Sequence, residues 1–289
     1  MAMVYTTRNG YQLHYIEKGT GNFIVFVHGS ASDYRTWEKQ QQEFSNYYHT
    51  VAYSRRYHWP NQRIAAGEDY SMAGHVGDLE DLLAKLGSKP VHLVGHSYGA
   101  FVCLLLAAKS PQLVRTLVLA EPPAITLFVS NSPKPTELLR LLFSRPKTAL
   151  ALIKFGATGI GPATAAVKAG KLEAAMEIFG KATLGTQAFV HLSEARREQV
   201  RANLIKAEFL GSGFPPLDLS EIRRIVVPVL LVAGEKSPRM FHYLLDRLSE
   251  LLAHAERITV PGASHILHED NPAFYNAAVH AFLRKFEIG

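Results

Sequence analysis

Short, continuously apolar runs recur along the chain, separated by stretches with helical spacing. "FIVFVHG" (23–29), "PVHLVGHS" (90–97), "VRTLVLAEPP" (114–123) and "IVVPVLLVAGE" (225–235) are largely apolar, as strands covered on both faces are. "YQLHYIEKG" (11–19) alternates apolar and polar residues, the pattern of a half-buried antiparallel strand. "HTVAYSRR" (49–56) and "AERITVPGAS" (255–264) read as further strands. Between them lie amphipathic stretches at 34–45, 73–87, 98–110, 239–253 and 272–286 that predict helices, the second stopped at Gly87. Strands alternating with helices at this spacing predict a doubly wound, mostly parallel α/β sheet.

The alternation breaks between Pro123 and about Pro216. Helical pieces at 136–144, 147–156 and 172–180 occur there without a convincing strand, bounded by the Pro- and Gly-rich stretches "EPPAITLFVSNSPKP" and "GSGFPPLD". Residues 1–122 and 217–289 therefore predict the core, and 123–216 a helical insertion. Ligands in open α/β sheets bind beyond the carboxyl ends of the strands, so an insertion there is expected to act as a lid, above an apolar pocket.

Composition narrows the classes. The 289 residues, 47% hydrophobic and 19% charged, suffice for one large core. The formal charge of +6 is spread along the chain, which does not favour a nucleic-acid partner. The densest charged run, "EARREQVRANLIKAE" (194–208), mixes both signs and reads as a solvated helix face. The single cysteine, Cys103, lies in "AFVCLLLAA" and reads as a packing residue. There is no signal-peptide core at the start, and no apolar run approaches the roughly 20 residues that span a bilayer. A soluble, cytoplasmic protein without a membrane partner is expected.

Three segments carry candidate chemistry. Gly95-His96-Ser97-Tyr98-Gly99 is a Gly-x-Ser-x-Gly between a strand and a helix. A Ser at such a corner is exposed by a strained turn, and the Tyr98 N–H and the helix N-terminus point at an incoming oxyanion. His28-Gly29 closes an earlier buried strand, so the Ser30 N–H is expected to be the second oxyanion donor. His265 follows the turn Gly262-Ala263-Ser264 after the last strand, 168 residues beyond Ser97. It is preferred as the base over His268, which would begin a helical turn.

The order His-Gly, Gly-x-Ser-x-Gly, helical insertion and late Gly-x-x-His resembles the α/β-hydrolase fold family over nearly the whole chain. The resemblance implies acyl transfer without a cofactor or metal: Ser97 attacks a carbonyl, His265 shuttles the proton and a carboxylate orients the His. The expected substrate is a small, apolar ester or lactone; C–C hydrolysis, amide hydrolysis and perhydrolysis use the same triad. A nucleophilic Asp would have indicated dehalogenase or epoxide-hydrolase chemistry, and Ser97 argues against both. A catalytically idle or ligand-receptor member of the fold is the reading from another class.

Two places depart from the family pattern. Where many members carry Asp-x-Arg-Gly-x-Gly-x-Ser, this chain has "SRRYHWPN" (54–61), keeping Arg56 but placing Tyr57 and Trp59 at the glycines. Either these rings narrow the pocket or they pack the loop. Where the late acid usually stands, three residues after Gly234, this chain has Ser237. Glu235 and Glu121 are the alternatives. Certain haloalkane dehalogenases and the zearalenone lactonases carry the acid as a Glu after the strand that holds Glu121, and this resemblance puts Glu121 ahead.

Overall fold

The computed structural model describes residues 2–87, 89–204 and 206–287. Eight strands form one sheet: β1 (Met3–Thr6), β2 (Gln12–Lys18), β3 (Phe23–Val27), β4 (His49–Tyr53), β5 (Val91–His96), β6 (Val114–Ala120), β7 (Val229–Gly234) and β8 (Ala255–Val260). Their order is β1-β2-β4-β3-β5-β6-β7-β8. β1 and β2 pair antiparallel, as do β2 and β4, and every later pair is parallel. β1 has no counterpart in the sequence reading. It is four residues long and none of them is buried, so its composition carries no core signal.

The helices of the α/β layers are α1 (Glu38–Phe44), α2 (Met72–Lys85) and α3 (Tyr98–Lys109). Between β6 and β7 come α4 (Pro135–Ser144), α5 (Pro146–Phe155), α6 (Gly161–Lys168), α7 (Leu172–Leu184), α8 (Thr186–Val190), α9 (Glu194–Asn203), α10 (Lys206–Leu210) and α11 (Leu219–Arg223). The chain closes with α12 (Arg239–Leu251), α13 (Leu267–Asp270) and α14 (Pro272–Arg284).

Successive side chains of a strand point to opposite faces, and β3 shows the consequence. Val25 and Val27 pack with Leu79 of α2 and Phe101 of α3 on one face. Ile24 and Phe26 pack with Phe44 of α1 and Val279 of α14 on the other. Cys103 is fully buried among the α3 apolar residues, where burial raises its thiol pKa; it is a packing residue.

α9 is the solvated helix that its charges predict, with one inward edge. Gln199 donates to Asp33 Oδ1 at 3.0 Å and Asn203 to Asp33 Oδ2 at 2.7 Å, tying the insertion to the loop after β3. Ile205, in the same charged run, lies outside the described residues. One expectation needs correction. Residues Pro146–Lys168 form a single 23-residue helical run, long and apolar enough by length and composition to cross a bilayer. The sequence reading missed it because Lys147, Lys154 and Pro162 interrupt the apolar run, whereas the helix continues through a π turn at Gly156–Ile160. Leu152, Phe155 and Ile160 of this run line the largest cavity beside Ser97.

Candidate active site

Ser97 sits between β5 and α3 with φ 49° and ψ −120°, in the positive-φ region that disfavours L side chains. The turn is tight enough to exclude side chains on both flanks. A Cβ on Gly95 would lie 2.6 Å from the Ala100 Cα, and one on Gly99 would lie 2.2 Å from the Val27 carbonyl oxygen. The Ser97 N–H donates to the Ala120 carbonyl at 2.8 Å, which anchors the corner to β6.

His265, Glu121 and Ser97 come together although they are far apart in sequence. The Ser97 Oγ lies 2.9 Å from His265 Nε2, and Glu121 Oε2 lies 2.6 Å from His265 Nδ1. A carboxylate only accepts, so the imidazole proton resides on Nδ1 and Nε2 is free to accept from the Ser97 hydroxyl. Phe241 of α12 stacks on the His265 ring, with centroids 4.0 Å apart, and holds its plane. His96 Nε2 donates to the His265 carbonyl at 2.8 Å, fixing the main chain beneath the ring.

Glu121 is fully buried and its own backbone is strained, at φ 48°. Three donors satisfy the carboxylate: the Gly234 N–H to Oε1 at 2.7 Å, and the Ser237 hydroxyl, at 2.9 Å, with His265 to Oε2. Ser237, at the place of the usual late acid, thus donates to the Glu121 carboxylate. Glu235 points elsewhere: it is exposed and accepts the Gly262 N–H at 2.6 Å. His268 is also placed elsewhere, with Nε2 3.0 Å from the Thr36 hydroxyl and its ring stacked on Trp37 at 4.3 Å.

The loop after β3 lies against Ser97. A Cβ on Gly29 would lie 3.1 Å from the Ser97 Cβ, so glycine permits the approach. Ser30 and Tyr98, the expected oxyanion residues, both line the large cavity with Ser97. Tyr98 is the first residue of α3, where an N–H has no partner inside the helix.

Tyr57 and Trp59 pack the loop and line neither cavity that meets Ser97. Tyr57 stands edge-on to Tyr11, and Trp59 lies under the Arg35 guanidinium at 3.8 Å. Arg56 makes a buried bidentate pair with Asp78, both contacts at 2.6 Å.

A family profile described as "Alpha/beta hydrolase family" matches residues 24–278. The chain belongs to that family. Its similarity to the uncharacterized hydrolase YraK of Bacillus subtilis is 32% over 128 residues, 44% of this chain and 47% of that protein. Epoxide hydrolase 3 of Xenopus tropicalis is 25% identical over 96% of this chain and 76% of its own length. Among solved structures, carboxylesterase CesB (YbfK) from Bacillus subtilis superposes with a TM-score of 0.71 at 22% identity, covering 98% of this chain and 91% of that one. The family therefore includes esterase and epoxide-hydrolase relatives of this hydrolase.

Around this site the chain buries a set of histidines. His28, His58, His75, His96 and His268 are each at most 6% exposed. Burial is the first cause that lowers each pKa well below the ordinary value, and neighbouring positive charge adds to it. In the unfolded chain these rings take up protons near pH 6.5, whereas in the native state they stay neutral. Stability is therefore fully present above about pH 6.5 and is lost as pH falls below it. Each ring that must stay neutral in the native state favours unfolding as pH falls, and the five act in the same direction, so folding weakens steeply with acidification. We expect the melting temperature to be level from pH 8 to 7 and to collapse between about pH 6.5 and 5; a level melting temperature down to pH 5 would contradict the buried neutral set.

Proposed function

We propose that the protein is a serine hydrolase of carboxylic esters, lactones included, acting through an acyl-enzyme on Ser97. The observation that carries this reading is the hydrogen-bonded series Glu121–His265–Ser97, at 2.6 and 2.9 Å, ending at a cavity. In the first step Ser97 Oγ attacks the ester carbonyl and its proton passes to His265 Nε2. The carbonyl oxygen, now anionic, is met by the Ser30 and Tyr98 N–H groups. Collapse breaks the C–O bond, and His265 returns the proton to the departing alcohol. Water then attacks the acyl-Ser97, losing a proton to His265, and the acid leaves as Ser97 is restored. In this reading residues 1–122 and 217–289 are the catalytic core and 123–216 the lid.

The similarity to epoxide hydrolases raises epoxide opening as a second reading. Attack on an epoxide carbon by the Ser97 oxygen would leave an ether, with no carbonyl for water to attack. A carboxylate nucleophile leaves a hydrolysable ester, and position 97 holds Ser. The completed relay also supports an enzyme over an idle receptor.

Two cavities of unequal size meet at Ser97. One of about 520 Å³ runs past Tyr98, Phe155, Phe214 and Phe241, and is mostly apolar. The other, of about 60 Å³, is bounded by His96, His265, Phe189 and Leu192. The leaving alcohol must reach His265 to be protonated, so it occupies the small chamber, and the acyl chain takes the large one. A cavity of about 150 Å³ admits benzene, so the small chamber suits a methyl or ethyl group. Isomeric esters test this. With about 0.8 kcal/mol per buried CH₂, methyl hexanoate should exceed pentyl acetate in kcat/KM by at least about tenfold. Preference for pentyl acetate, or turnover of styrene oxide faster than either, would overturn the reading.

A further inference from the structure

Behind the loop that carries Ser30 lies a buried polar cluster that the relay does not use. Its centre is Arg55, whose side chain is fully buried. Nε donates to the His28 carbonyl at 3.1 Å, Nη2 to the Gly29 carbonyl at 3.0 Å and Nη1 to the Tyr70 hydroxyl at 2.8 Å. The guanidinium carbon lies 4.3 Å from the centre of the Tyr98 ring. Its nearest carboxylate, Glu208 Oε1 of α10, is 3.8 Å away, beyond hydrogen-bond reach. Glu208 lines the large cavity, and burial raises its pKa while Arg55 opposes that.

The Gly29 carbonyl belongs to the same peptide unit as the Ser30 N–H. In a trans peptide these two groups point in opposite directions. The carbonyl has a second donor as well. His28 Nε2 accepts the Arg55 backbone N–H at 2.9 Å, so the proton of this neutral ring is on Nδ1, which donates to the Gly29 oxygen at 2.8 Å. Two donors, one a cation, thus pull the carbonyl away from the nucleophile and turn the Ser30 N–H towards it. A cation on the carbonyl also polarises the peptide, making its N–H a stronger donor. The same guanidinium packs on Tyr98, whose N–H is the other donor.

We propose that Arg55 is the positioning residue of the oxyanion hole, aiming and polarising the Gly29–Ser30 peptide and supplying buried positive charge close to the developing oxyanion. This goes beyond the serine-hydrolase reading but rests on it. The role is exerted when the oxyanion forms, so the inference predicts a fall in kcat with KM nearly unchanged.

The test compares wild type with Arg55→Met and Arg55→Lys on methyl hexanoate, and measures inhibition by an alkyl trifluoromethyl ketone, whose adduct with Ser97 carries the oxyanion. Arg55→Met should lose about 10²–10³-fold in kcat, as when an oxyanion donor is removed, with KM within about twofold and ketone affinity falling in parallel. Arg55→Lys keeps the charge but loses the planar fork that presents separate nitrogens to the two carbonyls, and should fall between wild type and the Met variant. If the Met variant does not fold, the Lys variant decides: a loss of about tenfold or more in both kcat and ketone affinity supports the role. Both quantities within about twofold of wild type in folded variants would overturn it, as would a loss in KM alone. Fluorophosphonate labelling of wild-type Ser97 separates the two claims. No labelling sinks the serine reading and this inference together, whereas labelling with unchanged Arg55 variants sinks this inference alone.

Discussion

Ser97→Ala should lower kcat by about 10⁶-fold, the loss seen when the nucleophile of a serine triad is removed. Ser97 is the hydroxyl that His265 Nε2 faces, at 2.9 Å, and Cys103 is enclosed in α3, so it is no substitute. The Oγ has no partner other than His265 among the described hydrogen bonds. The substitution therefore leaves no donor stranded, and the melting temperature should stay within about 2 °C. His265→Ala should be nearly as damaging, because the members of a triad act as a unit. His268→Ala provides the contrast. It removes a ring stacked on Trp37, so it should lower stability and spare most of kcat. Retained turnover in Ser97→Ala, or a crippled His268→Ala with an active His265→Ala, would refute the arrangement.

Glu121→Gln should cost about 10⁴-fold in kcat, by the logic of a triad Asp changed to Asn. The glutamine has one carbonyl oxygen where the carboxylate had two. The Gly234 N–H approaches one of the two positions at 2.7 Å and His265 Nδ1 approaches the other at 2.6 Å. With the amide oxygen on Gly234, the NH₂ faces Nδ1 and drives the imidazole proton to Nε2. That tautomer cannot accept from Ser97. Glu235→Gln should stay within about threefold of wild type, since that exposed side chain holds only the Gly262 N–H. Ser237→Ala removes one of three donors to the carboxylate and should cost about 10- to 100-fold, in line with the roughly 1.5–3 kcal/mol of a single hydrogen bond to a charged group. Comparable losses in Glu235→Gln and Glu121→Gln would assign the acid wrongly.

The parts of the fold that were legible in the sequence are those whose chemistry is local. β3, β5, β6 and β7 are read from continuous apolar runs because both faces of the sheet are covered, and Gly95 and Gly99 mark the elbow because a Cβ there meets backbone. β1 was not legible, being an edge strand without a buried residue. Which glutamate meets His265 was legible only as a choice between Glu121 and Glu235. Spacing could not say which strand tip faces the His265 loop, and the three-donor cradle from β7 and its following turn decides where Glu121 sits. Arg55, His96 and Phe241 carry no sequence signal as partners of the site, and Ser237 reads only as the uncharged residue at the place of the usual late acid. Each works through a contact made only in three dimensions: two carbonyls, a main-chain oxygen, a stacked ring and a carboxylate from another strand. In "SRRYHWPN" the family pattern singles out the retained Arg56, yet its neighbour Arg55 reaches the Gly29 carbonyl while Arg56 pairs with Asp78.

The central claim is that Ser97 becomes acylated, and the mass of the protein after reaction with a fluorophosphonate tests it most directly. The account predicts one covalent phosphonyl group per chain, mapped by peptide sequencing to Ser97, with labelling that runs in parallel with loss of esterase activity and is absent from His265→Ala over the same time. An active enzyme that acquires no adduct at Ser97, or that carries the adduct elsewhere, would contradict it.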